Sequence, residues 1–315
     1  MLRAARGFQH SLSVSVCVVG CALAVAPARA APVVNGFIVE TYAAGLDENL
    51  RMSFDPSRVL YVGRQNTDRI YRIGDGGAPV EEYGSAALPD PDSVMFDGAG
   101  FVGPVPGSVL VGGAGQISAV LPDQSIQTVF NSGFRDVNDW EFDSTGRLVF
   151  SDDSPQIVVI PLGGSPTVLF TLPSRPSAVA ISGSDEIFVG TIDGTIRRFT
   201  AAGVPVGSGI FASGLALGFG GLSFGFGTGG AFGSDLYALS GTDLLRFDSA
   251  GNSTVIGSGF PDSANFIEFG PDDALYVSVF DDGTVLRISR VPEPGTAGIL
   301  IAAIIGLGVC KRRLR

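Results

Sequence analysis

The sequence predicts an all-β protein built as a six-bladed β-propeller over residues 31–290. Three observations predict this fold: a phrase of about 43 residues recurs six times, glycine supplies 45 of the 315 residues, and only 16% of residues are charged. Repeats of this length that each hold four short strands are typical of propeller blades. The glycine content argues against a helical bundle, and the apolar content argues against a disordered chain.

Each copy of the repeat begins with a strand that ends in a hydrophobic anchor residue. A small or acidic turn follows, then a strand such as residues 60–63, a second turn, a third strand and an outer strand. The pairs Asp193-Gly194 and Asp282-Gly283 are predicted to close tight hairpins in which both central residues take positive φ. The six anchors are Phe54, Phe96, Phe142, Ile181, Phe224 and Phe269.

The sixth copy has no outer strand of its own, because the chain leaves its third strand for the C-terminal segment. Residues 37–42 precede the first copy and have the composition of the other outer strands. We therefore predict that residues 37–42 pair into the last blade and close the ring. This pairing would hide a strand edge that otherwise promotes aggregation.

The composition of residues 31–290 excludes several classes of function. This region contains no His, Lys or Cys, so it cannot hold a Ser-His-Asp or Cys-His nucleophile, a Schiff-base lysine or a structural zinc site. It carries 13 Arg and 30 acidic residues, a net charge of −17. Because such a surface repels phosphate backbones, nucleic-acid binding is not expected. Any chemistry must use carboxylates, amides, hydroxyls or Arg, most simply around a hard cation.

Residues 1–30 are predicted to be a cleavable signal peptide. Arg3 and Arg6 form a charged start, an apolar stretch covers residues 12–26, and small residues flank Arg29. We expect signal peptidase to cleave after Ala30 and the mature chain to be exported. Two alternatives remain open: a permanent N-terminal anchor, and a lipid on Cys21 in a short lipobox-like sequence.

The C-terminal segment, residues 291–315, contains Pro292, Glu293 and Pro294, then apolar residues 297–310 and a basic tail. As a helix the apolar stretch would span about 21 Å, less than the roughly 30 Å of a hydrocarbon core. This order of features resembles the PEP-CTERM sorting signal of exported Gram-negative proteins. The resemblance implies transient anchoring in the inner membrane by the C-terminal helix, recognition by an exosortase-type protease, and release to the cell surface or beyond. An ordinary tail anchor is the alternative.

The repeat resembles the NHL and SMP-30 (gluconolactonase-like) group of six-bladed propellers, through the pattern of Phe, a short turn and Leu-Tyr-Val in residues 54–62 and 269–277. The resemblance implies that the loops before the innermost strands surround the mouth of a central channel. It also implies a Ca²⁺ ion held there by Glu, Asn and Asp oxygens. On this basis the candidate metal ligands are Glu48, Asp92, Asn138 and Asn265.

These four residues also have a purely structural interpretation. Asp and Asn side chains often cap turns by accepting hydrogen bonds from nearby backbone amides. Glu48 departs from the family pattern, since it lies two residues before the aligned position and lacks the following Gly/Pro and aromatic residue. No catalytic residue is predicted.

The sequence favours an exported, surface-sorted, non-catalytic binding or extracellular-matrix module of unknown ligand. The sorting resemblance implies association with extracellular polysaccharide; no cofactor is assigned, and Ca²⁺ is the one candidate. The alternative is a Ca²⁺-dependent lactonase or hydrolase of the SMP-30 type with its metal at the central channel. A third interpretation is a passenger domain that its acidic surface keeps in solution.

Overall fold

The computed structural model describes residues 31–65, 68–132, 134–216 and 223–291. Within these ranges the chain forms 25 β-strands and no helix. In chain order the strands are β1 (Val33–Val34), β2 (Phe37–Ala44), β3 (Asn49–Phe54), β4 (Leu60–Arg64), β5 (Ile70–Ile73), β6 (Val80–Tyr83), β7 (Ser93–Asp97), β8 (Ser108–Gly113), β9 (Gln116–Val120), β10 (Ile126–Phe130), β11 (Val137–Phe142), β12 (Leu148–Asp152), β13 (Gln156–Ile160), β14 (Thr167–Thr171), β15 (Pro176–Ile181), β16 (Ile187–Thr191), β17 (Thr195–Phe199), β18 (Pro205–Ala212), β19 (Ser223–Phe226), β20 (Leu236–Ser240), β21 (Asp243–Phe247), β22 (Ser253–Ser258), β23 (Ala264–Phe269), β24 (Leu275–Val279) and β25 (Thr284–Arg290).

The strands form six antiparallel sheets, which confirms the predicted six-bladed propeller. In blades 1 to 5, four strands follow one another in chain order from the channel outwards: β3–β6, β7–β10, β11–β14, β15–β18 and β19–β22. Blade 6 contains β23, β24 and β25, and its fourth strand is β2. The predicted repeat therefore corresponds blade by blade to the observed sheets.

Strand β2 closes the ring as predicted, and it extends two residues further than residues 37–42. Its register against β25 runs from Phe37 opposite Arg290 to Ala44 opposite Thr284. The Arg287 side chain reinforces this pairing, because its Nη1 donates a hydrogen bond of 2.7 Å to Glu40 Oε1. Strand β2 thus supplies the outer strand that the sixth copy lacks.

The sequence did not predict strand β1, which adds a fifth strand to blade 5. Val33 lies opposite Ser258 and Val34 opposite Gly257 of β22. Val34 is only 3% exposed and packs in the hydrophobic cluster between blades 5 and 6. Two residues are too few for a periodic signal, which is why the sequence gives no indication of this strand. The N-terminal segment therefore contributes one strand to blade 5 and one to blade 6.

The core consists of six separate hydrophobic clusters, one between each pair of neighbouring blades. Each blade packs against a neighbour on both of its faces, so the side chains on both faces are buried. Strands such as β4 and β12 are therefore buried along their whole length. This burial explains their continuous hydrophobic sequences. Hydrophobic packing between the faces of neighbouring blades holds the ring together, since residues 31–290 contain no Cys that could form a disulfide.

The two Asp-Gly turns differ from the prediction. Residue pairing leaves a three-residue loop before Thr195 and a four-residue loop before Thr284, and in each only the glycine has positive φ. The reason is contact with the next blade, since a Cβ atom on Gly194 or Gly283 would overlap the carbonyl oxygen of a neighbouring loop. Glycine is needed at these positions for close approach, and not for a two-residue turn.

Neither terminal segment can be compared with its prediction. The proposed signal peptide and the Pro292, Glu293 and Pro294 motif lie outside the described residues. In the ranges that the structure describes, no helix is long and apolar enough to cross a membrane.

Candidate functional site

The innermost strands β3, β7, β11, β15, β19 and β23 lie side by side around the central channel. Because every blade repeats the same strand order, these strands all begin at one end of the channel and end at the other. We call the end where they begin the proximal mouth and the end where they finish the distal mouth. Each mouth contains a group of charged side chains.

Three carboxylates meet at the proximal mouth. Asp90 and Asp92 lie in the loop before β7, and Asp136 lies in the loop before β11. One carboxylate oxygen from each of the three lies within 4.8 Å of the others. The Oδ1 atom of Asp92 is buried and has no hydrogen-bond partner among the described residues. We call these residues the proximal carboxylates.

The environment of the proximal carboxylates disfavours negative charge. Burial, together with the nearby charges of Asp90 and Asp136, raises the pKa of Asp92 to about 7. Burial also raises the pKa of Asp136, although the hydrogen bond from the Val137 amide acts against this effect. The group is therefore short of positive charge, which is the electrostatic condition for binding a cation.

The loop that carries Asp90 and Asp92 is held against two glycines. Asp90 has φ of +48°, and its carbonyl oxygen accepts a hydrogen bond of 2.8 Å from the Asp92 amide. A Cβ atom on Gly113 would overlap the Asp90 carbonyl oxygen, and one on Gly63 would lie 2.5 Å from the Asp92 carbonyl oxygen. The close approach of this loop to β4 and β8 therefore requires glycine at both positions.

Asp136 is positioned by the start of blade 3. The Val137 amide donates a hydrogen bond of 2.8 Å to Asp136 Oδ1, and the Asp153 amide donates one of 3.2 Å to the Asp136 carbonyl oxygen. The Ser93 hydroxyl, at the start of β7, donates a hydrogen bond to the Val137 carbonyl oxygen. These bonds fix the starts of β7 and β11 relative to each other.

Two of the predicted ligands, Asn138 and Asn265, lie at β-bulges. The pairing of β11 with β12 skips Asn138, and the pairing of β23 with β24 skips Asn265. Ser177 is skipped in the same way at the start of β15. A bulge redirects a side chain out of the regular alternation and is common beside active sites. The same bulge recurs at the same point of three blades, so Asn138, Ser177 and Asn265 occupy equivalent positions at the starts of their strands.

The four predicted ligands have different surroundings. Asp92 belongs to the proximal carboxylates, and Glu48 is not part of that group. Glu48 has φ of +46°, and its carbonyl oxygen accepts a hydrogen bond of 3.0 Å from the Gln65 amide. Asn265 Oδ1 accepts a hydrogen bond of 2.7 Å from the Ser278 hydroxyl, while its buried Nδ2 has no partner among the described residues. Whether all four oxygens meet at one ion stays a prediction.

A second charged group spans the channel around Arg51 of β3. Arg51 is 3% exposed, and its Nε lies 2.9 Å from Asp139 Oδ1 of β11. Its Nη2 donates a hydrogen bond of 3.0 Å to the Trp140 carbonyl oxygen. The nearest oxygens of Glu141 and Glu268 lie 3.7 Å from Nη2 and Nη1 respectively. We call these four charged residues, Arg51, Asp139, Glu141 and Glu268, the Arg51 cluster.

The carboxyl groups of the Arg51 cluster hold protons more tightly than usual. Burial raises the pKa of Glu141 to about 7 and that of Glu268 to about 8, although the Arg51 charge acts in the opposite direction. Burial also raises the pKa of Asp139, again against the effect of Arg51. One guanidinium is therefore insufficient to balance three carboxylates.

The sequence analysis did not identify the Arg51 cluster. Its members come from three blades and are separated by up to about 200 positions, so no local motif connects them. The only available signal was the occurrence of charged residues inside hydrophobic innermost strands, at Arg51, Glu141 and Glu268. Arg51 is buried, and a buried charge is uncommon unless it is paired or functional.

No protein-family model and no curated protein matches the chain. Solved structures do resemble it. A gluconolactonase from Xanthomonas campestris is 16% identical with a TM-score of 0.65, covering 82% of this chain and 91% of that one. A luciferin-regenerating enzyme is 11% identical with a TM-score of 0.65, covering 81% and 96%. Virginiamycin B lyase from Staphylococcus aureus is 13% identical with a TM-score of 0.58, covering 81% and 100%.

At these identities the comparisons establish the fold, which is that of the gluconolactonase-like six-bladed propellers. They also contradict the sequence-based prediction of a non-catalytic binding or extracellular-matrix module, because these propellers of similar architecture are enzymes. The alternative prediction of a hydrolase fits them better. The prediction was wrong because the absence of His, Lys and Cys does not exclude catalysis by carboxylates, and carboxylates with raised pKa values occur at both mouths.

Proposed function

We propose that this protein is a divalent-cation-dependent hydrolase of the lactonase type, with its active site at the proximal mouth. The observation that carries the proposal is the buried Oδ1 atom of Asp92. It has no hydrogen-bond partner among the described residues, and it lies beside the carboxylates of Asp90 and Asp136. A buried, unpartnered anionic oxygen is costly unless a ligand compensates for it.

The proximal carboxylates fit a hard cation. All of their donor atoms are oxygens, which Ca²⁺ and Mg²⁺ prefer. Oxygens that bind one Ca²⁺ at about 2.3–2.6 Å are at most roughly 5 Å apart, and the three oxygens here lie within 4.8 Å. Asp90, Asp92 and Asp136 would hold the ion. A bound cation of this kind polarises a substrate carbonyl and lowers the pKa of a water molecule.

The remaining groups at this mouth suit the binding of a polar substrate. The bulges at Asn138, Ser177 and Asn265 bring amides and a hydroxyl to the starts of three innermost strands. Such groups can donate hydrogen bonds to a carbonyl oxygen and accept them from substrate hydroxyls. Hydrolysis by an activated water needs no side-chain nucleophile, in keeping with the absence of His, Lys and Cys from residues 31–290.

The lactone class of substrate is suggested by the comparisons. The gluconolactonase from Xanthomonas campestris has the same arrangement of blades over most of both chains. In lactone hydrolysis water adds to the polarised carbonyl and the ring C–O bond breaks, so the leaving alkoxide takes up a proton and becomes a hydroxyl of the same product molecule. Glu48 and Asn265 are predicted ligands that do not belong to the proximal carboxylates.

The experiment measures D-glucono-1,5-lactone hydrolysis by acid release in a pH-stat. Full-length protein is treated with EDTA and then supplied with Ca²⁺, Mg²⁺ or Mn²⁺. Asp92→Asn, Asp136→Asn and Glu48→Gln are compared with Asp262→Asn, a control that removes an exposed carboxylate from the loop before β23. We expect EDTA to abolish turnover, one of the cations to restore it, and both proximal variants to lower it at least about tenfold.

A parallel melting experiment tests the cation site without any substrate. A cation at 100 times its Kd stabilises a protein by about 2.7 kcal/mol. For a domain of this size that corresponds to a rise in Tm of roughly 5–10 °C. Asp92→Asn should remove the rise and Asp262→Asn should keep it. Turnover that EDTA leaves unchanged would contradict the proposal, and a cation-dependent Tm without lactone turnover would contradict the lactonase assignment.

The two terminal segments complete the proposal. Residues 1–30 would direct export, and the Pro292, Glu293 and Pro294 motif would direct exosortase-dependent sorting to the cell surface. Mass spectrometry of the protein from its native host is the test. A mature chain that starts at Ala31 and ends near Pro294 is expected, whereas an intact basic tail on the surface-located protein would contradict the sorting proposal.

A further inference from the structure

The distal mouth contains a cavity of about 240 Å³ that is separate from the proximal carboxylates. Its charged lining residues are Arg51, Glu141 and Glu268, and the rings of Phe226 and Phe269 form part of its wall. Glu141 lies five residues beyond Asp136, which is about 16 Å along an extended strand. The two sites therefore lie at opposite ends of the channel.

The charges around this cavity do not balance. The Arg51 guanidinium makes its shortest ionic contact with Asp139, at 2.9 Å. Glu141 and Glu268 lie 3.7 Å from the guanidinium, which is too far for a hydrogen bond, and their side chains are 39% and 23% exposed. In the described ranges no other cation approaches these two carboxylates within ion-pair distance, and residues 31–290 have no Lys or His to supply one. The single Arg51 charge therefore balances only part of the negative charge of Glu141 and Glu268, and both glutamates line the cavity.

The other lining groups suit the apolar part of a small organic molecule. Phe226 and Phe269 are both half-buried and line the cavity. Aromatic faces attract ammonium groups as well as alkyl chains. The cavity volume of about 240 Å³ is far more than a bare metal ion occupies.

We propose that the distal cavity is a binding site for a small organic ammonium ion. Its charged group lies between Glu141 and Glu268, and its alkyl part contacts Phe226 and Phe269. The raised pKa values of the two glutamates agree with this assignment, since a proton holds the place that the ammonium group would take. The site does not depend on the proposed hydrolase activity, because it shares no residue with the proximal carboxylates.

The experiment uses n-butylammonium as the probe and 1-butanol as its uncharged counterpart. Binding to the full-length protein is followed by isothermal titration calorimetry and by ¹H–¹⁵N chemical shifts, with EDTA present to keep the proximal mouth free of cations. The pH dependence of binding follows from the charged groups that face the cavity and its surroundings, which are Arg51, Asp139, Glu141 and Glu268.

Because Glu141 and Glu268 must lose their protons before they can bind the ammonium group, we expect the affinity for n-butylammonium to rise at least tenfold from pH 5.5 to pH 8.5.

Matched variants locate the binding. Glu268→Gln and Glu141→Gln keep the side-chain shape and should each weaken n-butylammonium binding at least tenfold. Glu81→Gln, which changes an exposed glutamate of β6, should leave it unchanged. Melting curves of each variant show that it is folded.

Three results would overturn the proposal. The first is binding of 1-butanol with equal affinity, which would show an apolar pocket without charge recognition. The second is displacement of the probe by Ca²⁺ in the absence of EDTA, with the displacement lost in Glu268→Gln, which would show a metal site instead. The third is the absence of n-butylammonium binding at pH 8.5 in a protein that melts normally.

Discussion

The Nε atom of Arg51 in blade 1 lies 2.9 Å from the Oδ1 atom of Asp139 in blade 3, so an ion pair joins two blades that are not neighbours. Both residues are buried, at 3% and 0% exposure. Asp139 also accepts hydrogen bonds of 2.9 Å from the Trp140 amide and 2.8 Å from the Val179 amide of blade 4. Arg51 and Asp139 therefore connect strands from three blades across the channel.

Arg51→Met should strongly destabilise the protein. Methionine fills a similar volume but leaves Asp139 buried without its ionic partner, and breaking a buried pair on one side costs about 3–5 kcal/mol. Urea denaturation at pH 7.5 should show this loss. At pH 5 the loss should be smaller, because the carboxyl groups that Arg51 compensates can take up protons.

Arg72→Met is the matched control for Arg51→Met. The Arg72 side chain is 40% exposed, and its ion pair in the part of the chain that the structure describes is with Glu81 at 3.6 Å. Exposed pairs contribute about 0–1 kcal/mol. Equal losses in the two variants would contradict a special role for Arg51.

Most of the architecture could be predicted from the sequence, because it depends on local patterns that repeat. The anchors, the turn residues and the alternation between strands recur in every blade, and the missing outer strand of the sixth copy indicates where residues 37–42 must pair. Asp92 was identifiable in the same way, since it occupies a fixed position before an innermost strand. These are short-range signals.

The parts that could not be predicted depend on contacts across the ring. Arg51 meets Asp139 and Glu268 only because six blades close around one axis, and nothing in the neighbouring residues of Arg51 indicates those partners. Asp136 was visible as a loop residue, but its approach to Asp90 depends on the fit of Gly113 against the Asp90 carbonyl. Contacts between side chains of different blades are therefore harder to predict from the sequence than the blades themselves.

The stability of the cation-free protein should fall as the pH rises from 5 to 8.5. Burial raises the pKa of Glu141 to about 7 and of Glu268 to about 8, so the folded state binds these protons more tightly than the unfolded state does. Such groups stabilise the fold at low pH, and the contribution is lost as the pH rises through the folded pKa. Asp143 and Asp272 have lowered pKa values, but their contribution is complete above the ordinary carboxyl range.

Differential scanning calorimetry in EDTA checks this pH dependence. Tm should decline between pH 5 and pH 8.5 in the parent protein, and Glu268→Gln should decline less because one of the groups that loses a proton has been removed. A Tm that rises over this range would show that the glutamates are ionised in the folded state without cost.

Gly113→Ala should disrupt the proximal carboxylates from a distance. The added methyl group would overlap the Asp90 carbonyl oxygen, so the loop carrying Asp90 and Asp92 must move. We expect a loss of the Ca²⁺-dependent Tm shift together with a lower Tm. Gly183→Ala is the control, because a Cβ atom there meets nothing within 4 Å and the residue does not have positive φ. If Gly113→Ala kept a full response to Ca²⁺, the position of this loop would not matter for cation binding.

Ala43→Asp and Ala44→Asp test whether β2 holds the ring closed. Ala43 is 4% exposed and packs in the cluster between blades 6 and 1, whereas Ala44, the next residue on the same strand, is exposed. A carboxylate at position 43 must either be buried unpaired or pull β2 away from β25, and we expect a loss of at least about 2 kcal/mol. Separation of β2 also exposes the edge of β25, so aggregation should increase in size-exclusion chromatography. Ala44→Asp places the same charge in solvent and should change the free energy of unfolding by no more than about 0.5 kcal/mol. Similar stability and solution behaviour of the two variants would mean that the ring stays closed without β2.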